Sequence, residues 1–333
     1  MVLSNRFDRP CAIAARTRFS FISGFLASLL SGCAALPIPH ADGLSANTLD
    51  GSPGITVYAA GDIADCRKNA ASDSGAARTG KLIATALAGN PTAMVLALGD
   101  LAYPAGTAAQ FDDCYGRTWG SFKDRTLPAP GNHEYYTPGA TGYFDYFGNG
   151  AGPDRRGYYS TDLGGWHVVS LNSNLKGPAS DAQMTWLRAD LAASRQVGAG
   201  RCVLAFWHHP YASSGGHGNN AHMRPTWEAL FDARADVVLA AHDHDYERFA
   251  PMDGTGNADA RSGIRSFVVG NGGASLTPFG PTKLHSQAQD NSTVGVLRLR
   301  LKAGSYEWAF LPADGSAARD GGSGVCHAGS SRG

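Results

Sequence analysis

Short apolar runs that stop at a polar residue, often one preceded by glycine, recur along this chain and constrain its fold more than any other feature. Residues 55–63 (ITVYAAGDI) and 93–101 (AMVLALGDL) read as strands. The second is a continuous apolar run, the mark of a strand buried on both faces. Residues 126–132 lead through two prolines into another glycine turn, and residues 166–171 (WHVVSL), 202–207 (CVLAFW), 236–240 (DVVLA) and 266–269 predict further short strands. Helical spacing separates them. Residues 72–87 carry Leu82, Ile83, Ala86 and Leu87 on one face. A second helix is expected from Ser180, with a capping-box pattern of Ser180 and Gln183 followed by Met184, Leu187 and Leu191. A third has Pro225 in its first turn ahead of Trp227, Leu230 and Phe231. Residues 294–301 and 306–311 predict a hairpin about Lys302, Ala303 and Gly304. Alternating strand and helix gives an α/β sheet protein with strand-rich additions late in the chain.

The residues at the strand ends carry the chemistry. Asp62, Asp100, Asn132 with His133, His208, and His242 with His244 each follow a predicted strand. In open α/β sheets the ligand site lies beyond the carboxyl ends of the strands, so these side chains converge on one rim. They are oxygen and imidazole donors with no thiolate among them, a set that suits iron, manganese or zinc.

Composition narrows the partners. With 28 basic and 28 acidic residues the formal net charge is zero, which leaves no overall field to gather nucleic acid or anionic lipid. Arg16 and Arg18 precede an apolar run over residues 19–30, shorter than the roughly 20 residues a membrane-spanning helix needs. Leu30, Ser31, Gly32 and Cys33 resemble a bacterial lipoprotein cleavage box, so residues 1–32 are expected to be a lipoprotein signal peptide and Cys33 to carry lipid. Residues 33–54 read as a flexible tether, 55–312 as the catalytic domain and 313–333 as a Gly-rich C-terminal tail. An exported chain faces an oxidising compartment. Of six cysteines, Cys66, Cys114, Cys202 and Cys326 remain for disulfides, and four allow three pairings. Cys66 follows the Asp62 loop and Cys114 the Tyr103 loop, both near the rim. The expectation is therefore Cys66–Cys114, with Cys202 tying its strand to Cys326.

Five blocks occur in order: Gly61-Asp62, GDLAY over residues 99–103, GNHE over 131–134, WHHP over 207–210 and HDHDYER over 242–248. Together they resemble the calcineurin-like metallophosphoesterases, and specifically the purple acid phosphatase branch, which is marked by the Tyr three places after the Asp of GDLAY. Ala241 departs from the family's usual glycine and would bring a methyl close to the second ion. The resemblance implies a four-layer α/β/β/α sandwich and two metal ions. Asp62, Asp100, Tyr103 and His244 would bind iron(III). Asp100, Asn132, His208 and His242 would bind iron(II), zinc or manganese, His208 being preferred to His209 on the family's H-x-P spacing. A bridging carboxylate holds two cations roughly 3.5–4 Å apart, close enough to share one hydroxide, which attacks phosphorus in line. His133 would hydrogen-bond the phosphate and assist the leaving group. His217, in the loop SSGGHGNN, is a second candidate acid by position. Asp65, Glu134, Asp243, Asp245 and Glu247 are expected to be exposed, solvated or orienting the ligands. The implied function is an exported, membrane-anchored phosphatase acting on small phosphate monoesters, with no nucleic acid expected as a partner. The alternatives are a phosphodiesterase or nucleotidase with the same centre and, farther off, a non-catalytic metal- or phosphate-binding lipoprotein.

Overall fold

The computed structural model describes residues 54–197 and 201–327. The expected leader, Cys33 and the tether up to residue 53 lie outside the described residues. No helix among the described residues is long and apolar enough to cross a membrane.

Two mixed sheets form the centre. In the first, β1 (Ile55–Ala60), β2 (Met94–Leu98) and β3 (Thr126–Ala129) run parallel, and β11 (Gly295–Lys302), β12 (Ser305–Pro312) and β13 (Asp320–Val325) continue antiparallel from β1, in the order β13-β12-β11-β1-β2-β3. In the second the order is β10-β8-β9-β7-β6-β5-β4. Here β5 (Trp166–Ser170), β6 (Cys202–Phe206), β7 (Val237–Ala240) and β9 (Arg265–Val269) are parallel. Antiparallel strands complete the sheet, β4 (Tyr159–Leu163) at one edge and β8 (Tyr246–Phe249) followed by the outermost β10 (Ser286–Asp290) at the other.

The two-residue period of a strand assigns each side chain to a layer. Trp166, Val168, Leu204, Phe206 and Leu239 turn inward and share one buried core with Val57, Leu96, Leu297 and Leu299 of the first sheet. Their neighbours Val169, Val203, Ala205, Trp207 and Val238 turn the other way. They form a second core with Leu187 and Leu191 of α2 (Pro178–Val197) and Trp227 and Leu230 of α3 (Arg224–Asp232). On the far face of the first sheet, α1 (Gly75–Ala88) buries Ile83 and Leu87, with Ser74 as its N-cap. Helix, sheet, sheet and helix therefore stack as the expected α/β/β/α sandwich.

Several local readings change. The second long helix begins at Pro178, so Ser180 lies inside its first turn and caps nothing. Gln183 serves another purpose, accepting from the Asn172 N–H at 2.8 Å and donating to its carbonyl at 3.2 Å. Within the stretch expected to be a Gly-rich tail, residues 320–325 form β13 on the edge of the first sheet. Glycine is what admits it: a Cβ on Gly322 or Gly324 would overlap the rings of Trp308 and Tyr306, which lie across the strand. Asp320 opens β13 by accepting from Tyr246 Oη at 2.6 Å and Arg248 Nε at 2.7 Å. Both disulfides form as expected, Cys66–Cys114 with Cα atoms 5.9 Å apart and Cys202–Cys326 at 5.6 Å.

Candidate metal centre

The strand ends of both sheets deliver the donors to one rim. Asp62 follows β1, Asp100 follows β2, and Asn132 and His133 follow β3; His208 follows β6, and His242 and His244 lie between β7 and β8. The sheets are laced together there, with Gly61 N–H donating to Val269 at 2.8 Å and Gly272 N–H to Gly61 at 2.9 Å. Asp62, Asp100 and His242 have φ of 55°, 50° and 75°, a left-handed conformation that non-glycine residues hold at a cost. Gly99, at φ +89°, faces His208, and a Cβ there would come within 2.7 Å of the His208 ring. The Ala241 methyl lies over Gly61, where a second Cβ would approach it to 2.5 Å.

Two groups of donors meet, and Asp100 belongs to both. On one side the Tyr103 hydroxyl donates to Asp62 Oδ1 at 2.8 Å and lies 3.3 Å from Asp100 Oδ2 and 3.2 Å from His244 Nε2. On the other, His208 Nε2 lies 3.2 Å from Asp100 Oδ2, 3.1 Å from Asn132 Oδ1 and 3.1 Å from His242 Nδ1. Ligand atoms of Asp62, Asp100 and His208 all fall within 4.8 Å of one another, as do those of His208, His209 and His242. His208 and His244 donate Nδ1–H to the carbonyls of Leu98 and Ser275, which leaves Nε2 aimed inward, the orientation a metal-ligating imidazole takes. Carboxylates, imidazoles, an amide oxygen and a phenol converging in this way fit two cations.

Charge follows the same division. Burial opposes a proton on His208, but Asp100 prevails and lifts it to about 9; at His244 burial is likewise outweighed by Asp62, again to about 9. His242 and His209, half-buried beside His208, are pushed down by burial and by His208 to about 2. Burial and the Asp62 carboxylate hold the Tyr103 hydroxyl well above its ordinary value.

The acids expected to be exposed are buried. Glu134, Asp243, Asp245 and Glu247 have no exposed surface, because each is turned into the loops that carry the donors. Glu134 accepts from the backbone N–H groups of Asp100, Leu101, Ala102 and Gly131 at 2.7–3.3 Å, gripping two donor loops at once. Burial and the nearby Asp100 push its carboxyl up to about 7 against these donors. Asp243 accepts from Ser213 Oγ at 2.5 Å and from the His217 N–H at 2.7 Å. Glu247 accepts from the Ser214 N–H at 2.7 Å and hydroxyl at 2.6 Å. Alternate residues of HDHDYER thus supply donors and the anchors of the facing loop. Neither oxygen of Asp245 has a hydrogen-bond partner among the described residues. Burial, with Asp243 and Glu247 nearby, raises it to about 8. Only Asp65 stays partly open, bound to Arg67 at 2.7 Å.

Of the two expected substrate-side histidines, His133 donates Nδ1–H to Pro104 at 2.6 Å and keeps Nε2 3.7 Å from Asp100. His217 is exposed and stacks on His242 with ring centroids 4.2 Å apart. Sequence reasoning did not single out Ser173 and His222. Ser173 Oγ lies 2.8 Å from His209 Nδ1, and the His222 ring lies 5.5 Å from that of His209. Neither belongs to a strand-end block, so only the fold brings them here.

The family profile described as calcineurin-like phosphoesterase matches residues 55–246. The chain belongs to the calcineurin-like phosphoesterase family. Among similar proteins, an uncharacterized protein of Mycobacterium tuberculosis is 30% identical over 205 residues, 48% of this chain and 39% of its own length. Purple acid phosphatase 22 of Arabidopsis thaliana is 37% identical over 120 residues, 35% of this chain and 27% of its own. The chain matches less than half the length of these curated relatives. A purple acid phosphatase from yellow lupin (Lupinus luteus) seeds shares the phosphoesterase fold at a TM-score of 0.64 and 20% identity, over 82% of this chain and 54% of that one. So does an anchor protein of the Plasmodium inner membrane complex, at a TM-score of 0.63 and 12% identity, over 82% and 89%.

Proposed function

We propose that the chain is an exported dinuclear-metal phosphatase that hydrolyses phosphate monoesters. The observation that carries this reading is the position of Asp100, whose Oδ2 lies 3.3 Å from the Tyr103 hydroxyl and 3.2 Å from His208 Nε2 and so serves both donor groups. Asp62, Asp100, Tyr103 and His244 would hold iron(III), a hard cation matched to a phenolate oxygen. Asp100, Asn132, His208 and His242 would hold iron(II), zinc or manganese. Two cations there would supply a water of lowered pKa and offset charge on the phosphoryl oxygens. The protein's own part is to fix the donors, chiefly through Glu134, and to handle protons. His133, with Nδ1–H committed to Pro104, offers Nε2 to a phosphoryl or ester oxygen and donates there in its imidazolium form. His217, exposed on its loop, is the second acid.

The fold alone does not decide catalysis; the complete donor set favours an enzyme. Asp100→Ala removes the one side chain common to both groups. It should abolish metal retention and lower turnover of p-nitrophenyl phosphate by roughly a hundred- to a thousandfold, an oxyanion-stabilisation scale of loss. Near-normal turnover in the folded variant would sink the two-metal reading, and faster hydrolysis of bis(p-nitrophenyl) phosphate by the wild type would replace phosphatase by phosphodiesterase. Export is supported by the two disulfides, which persist in oxidising compartments. The lipid anchor rests on the cleavage box at Cys33. Cys33→Ser should move the protein from the membrane fraction to the soluble one, and a variant still retained after detergent-free washing removes the anchor from the proposal.

A further inference from the structure

Among the described residues Tyr136 is the only Phe, Tyr or Trp side chain that is mostly exposed, at 63%. It stands on the rim, at the end of the short turn Glu134–Tyr136 that follows His133. Its position there is fixed. Asn132 Nδ2 donates to its hydroxyl at 3.2 Å, and its ring centroid lies 4.7 Å from that of His133, with the planes at 59°. Asn132 turns its Oδ1 to His208 at the same time. The Tyr136 ring is therefore tied to the opposite end of an amide that faces the metal centre. The ring lies tilted beside His133, and most of its surface is open to solvent. The chain around it, residues 135–144 (YYTPGATGYF), carries no charged side chain of its own, and the cation that lies over this stretch, Arg155 above the Phe144 ring, is paired with Asp145 at 2.7 Å. An aromatic ring with an open face, bordered by a charge pair already satisfied within itself, suits a flat, neutral ring held by offset or edge-to-face stacking.

We propose that Tyr136 is a specificity residue, a platform on which the planar aromatic leaving group of the ester stacks, which narrows the substrate class to phosphate monoesters of aromatic alcohols. This rests on the phosphatase reading above.

The test compares 1-naphthyl phosphate with glycerol 2-phosphate in the metal-loaded wild type, in Tyr136→Leu and in Tyr136→Phe. The intrinsic reactivity of each ester is the same for every protein, so it cancels when variant is divided by wild type. Tyr136→Leu should lower kcat/KM for the naphthyl ester relative to the glycerol ester by roughly fivefold, through KM, the scale of one aromatic pair. Tyr136→Phe keeps the ring and should keep the preference, and any loss passed through Asn132 should fall on both esters alike. Because Tyr136 is exposed, both variants should melt close to the wild type. An equal fall on both esters in Tyr136→Leu, an unchanged ratio, or loss of the preference in Tyr136→Phe overturns the platform while leaving the phosphatase standing. A wild type that hydrolyses neither ester overturns the phosphatase reading and the platform with it.

Discussion

Asp62, Asp100 and His242 hold left-handed backbone angles at a cost on the order of 1–3 kcal/mol each. The surroundings over-determine those angles. The Asp62 N–H donates to Gly99 at 3.0 Å, the Asp100 N–H to Glu134 at 2.9 Å and the His242 N–H to Asp62 Oδ2 at 2.8 Å. A carboxylate that aims one oxygen at a neighbour's backbone and the other at the site is thus both donor and scaffold. Tyr103 is the residue where this arrangement makes a spectroscopic prediction. A phenolate on iron(III) gives a charge-transfer band in the visible, whereas a hydroxyl that only hydrogen-bonds to Asp62 gives none. Iron-loaded wild type should be coloured and Tyr103→Phe colourless, with part of the activity surviving on Asp62, Asp100 and His244. Absence of a visible band in the wild type, or its persistence in the Phe variant, removes Tyr103 from the ligand set.

At the scale of elements, a single histidine couples three of them. His167 of β5 lies 3.0 Å from Asp162 of β4 and 2.8 Å from Asp190 of α2, which also accepts from Ser160 Oγ at 2.7 Å. Burial opposes its charge, but the two carboxylates prevail and its pKa is raised, while the His167 hydrogen bond lowers that of Asp162. A raised histidine contributes stability that is complete below its unfolded value, about 6.5, and is lost as pH climbs through the folded value; the lowered Asp162 contributes above about 4 and loses it as pH falls. The link is therefore strongest between about pH 4 and 6.5. Because Asp162 is half-exposed, the effect should not exceed about 1 kcal/mol. His167→Gln should flatten the fall in melting temperature between pH 6 and 8, and parallel curves for variant and wild type would exclude the link. Strands β5 to β7 were legible in the sequence because burial on both faces writes them as apolar runs. YSTDL, SQAQD and DGGSGV were not, since as edge strands they take their structure from a partner's N–H and C=O groups and, for β13, from rings lying across glycine; YERF, paired on both sides, is four residues long and holds Glu247 and Arg248, so no apolar run marks it. The donors could be read because each ends a legible strand. The burial of Glu134, Asp243 and Glu247, the His209–Ser173 contact and the pose of Tyr136 are products of loops meeting in space, which no local pattern encodes.

For the molecule as a whole, the two disulfides act at different places. Cys66–Cys114 spans 48 residues and joins the Asp62 loop to the segment after Tyr103, while Cys202–Cys326 spans 124 and ties β13 back to the start of β6. On the chain-entropy model they contribute about 4 and about 5 kcal/mol, with measured losses typically 2–5 kcal/mol. Cys202→Ala with Cys326→Ala should lower the denaturation midpoint by an amount in that range, and reductant should not lower it further than the loss of Cys66–Cys114 predicts. A double variant as stable as the wild type would show that β13 is held by Asp320 and its ring contacts alone. The donors have a mechanical consequence as well. Asp62, Asp100 and Asn132 ride on one sheet and His208 and His242 on the other, so any cation they share is a rivet through the seam of the sandwich. Occupancy and rigidity would then be coupled: parting the sheets would weaken the hold on such ions, and stripping the ions would loosen the seam.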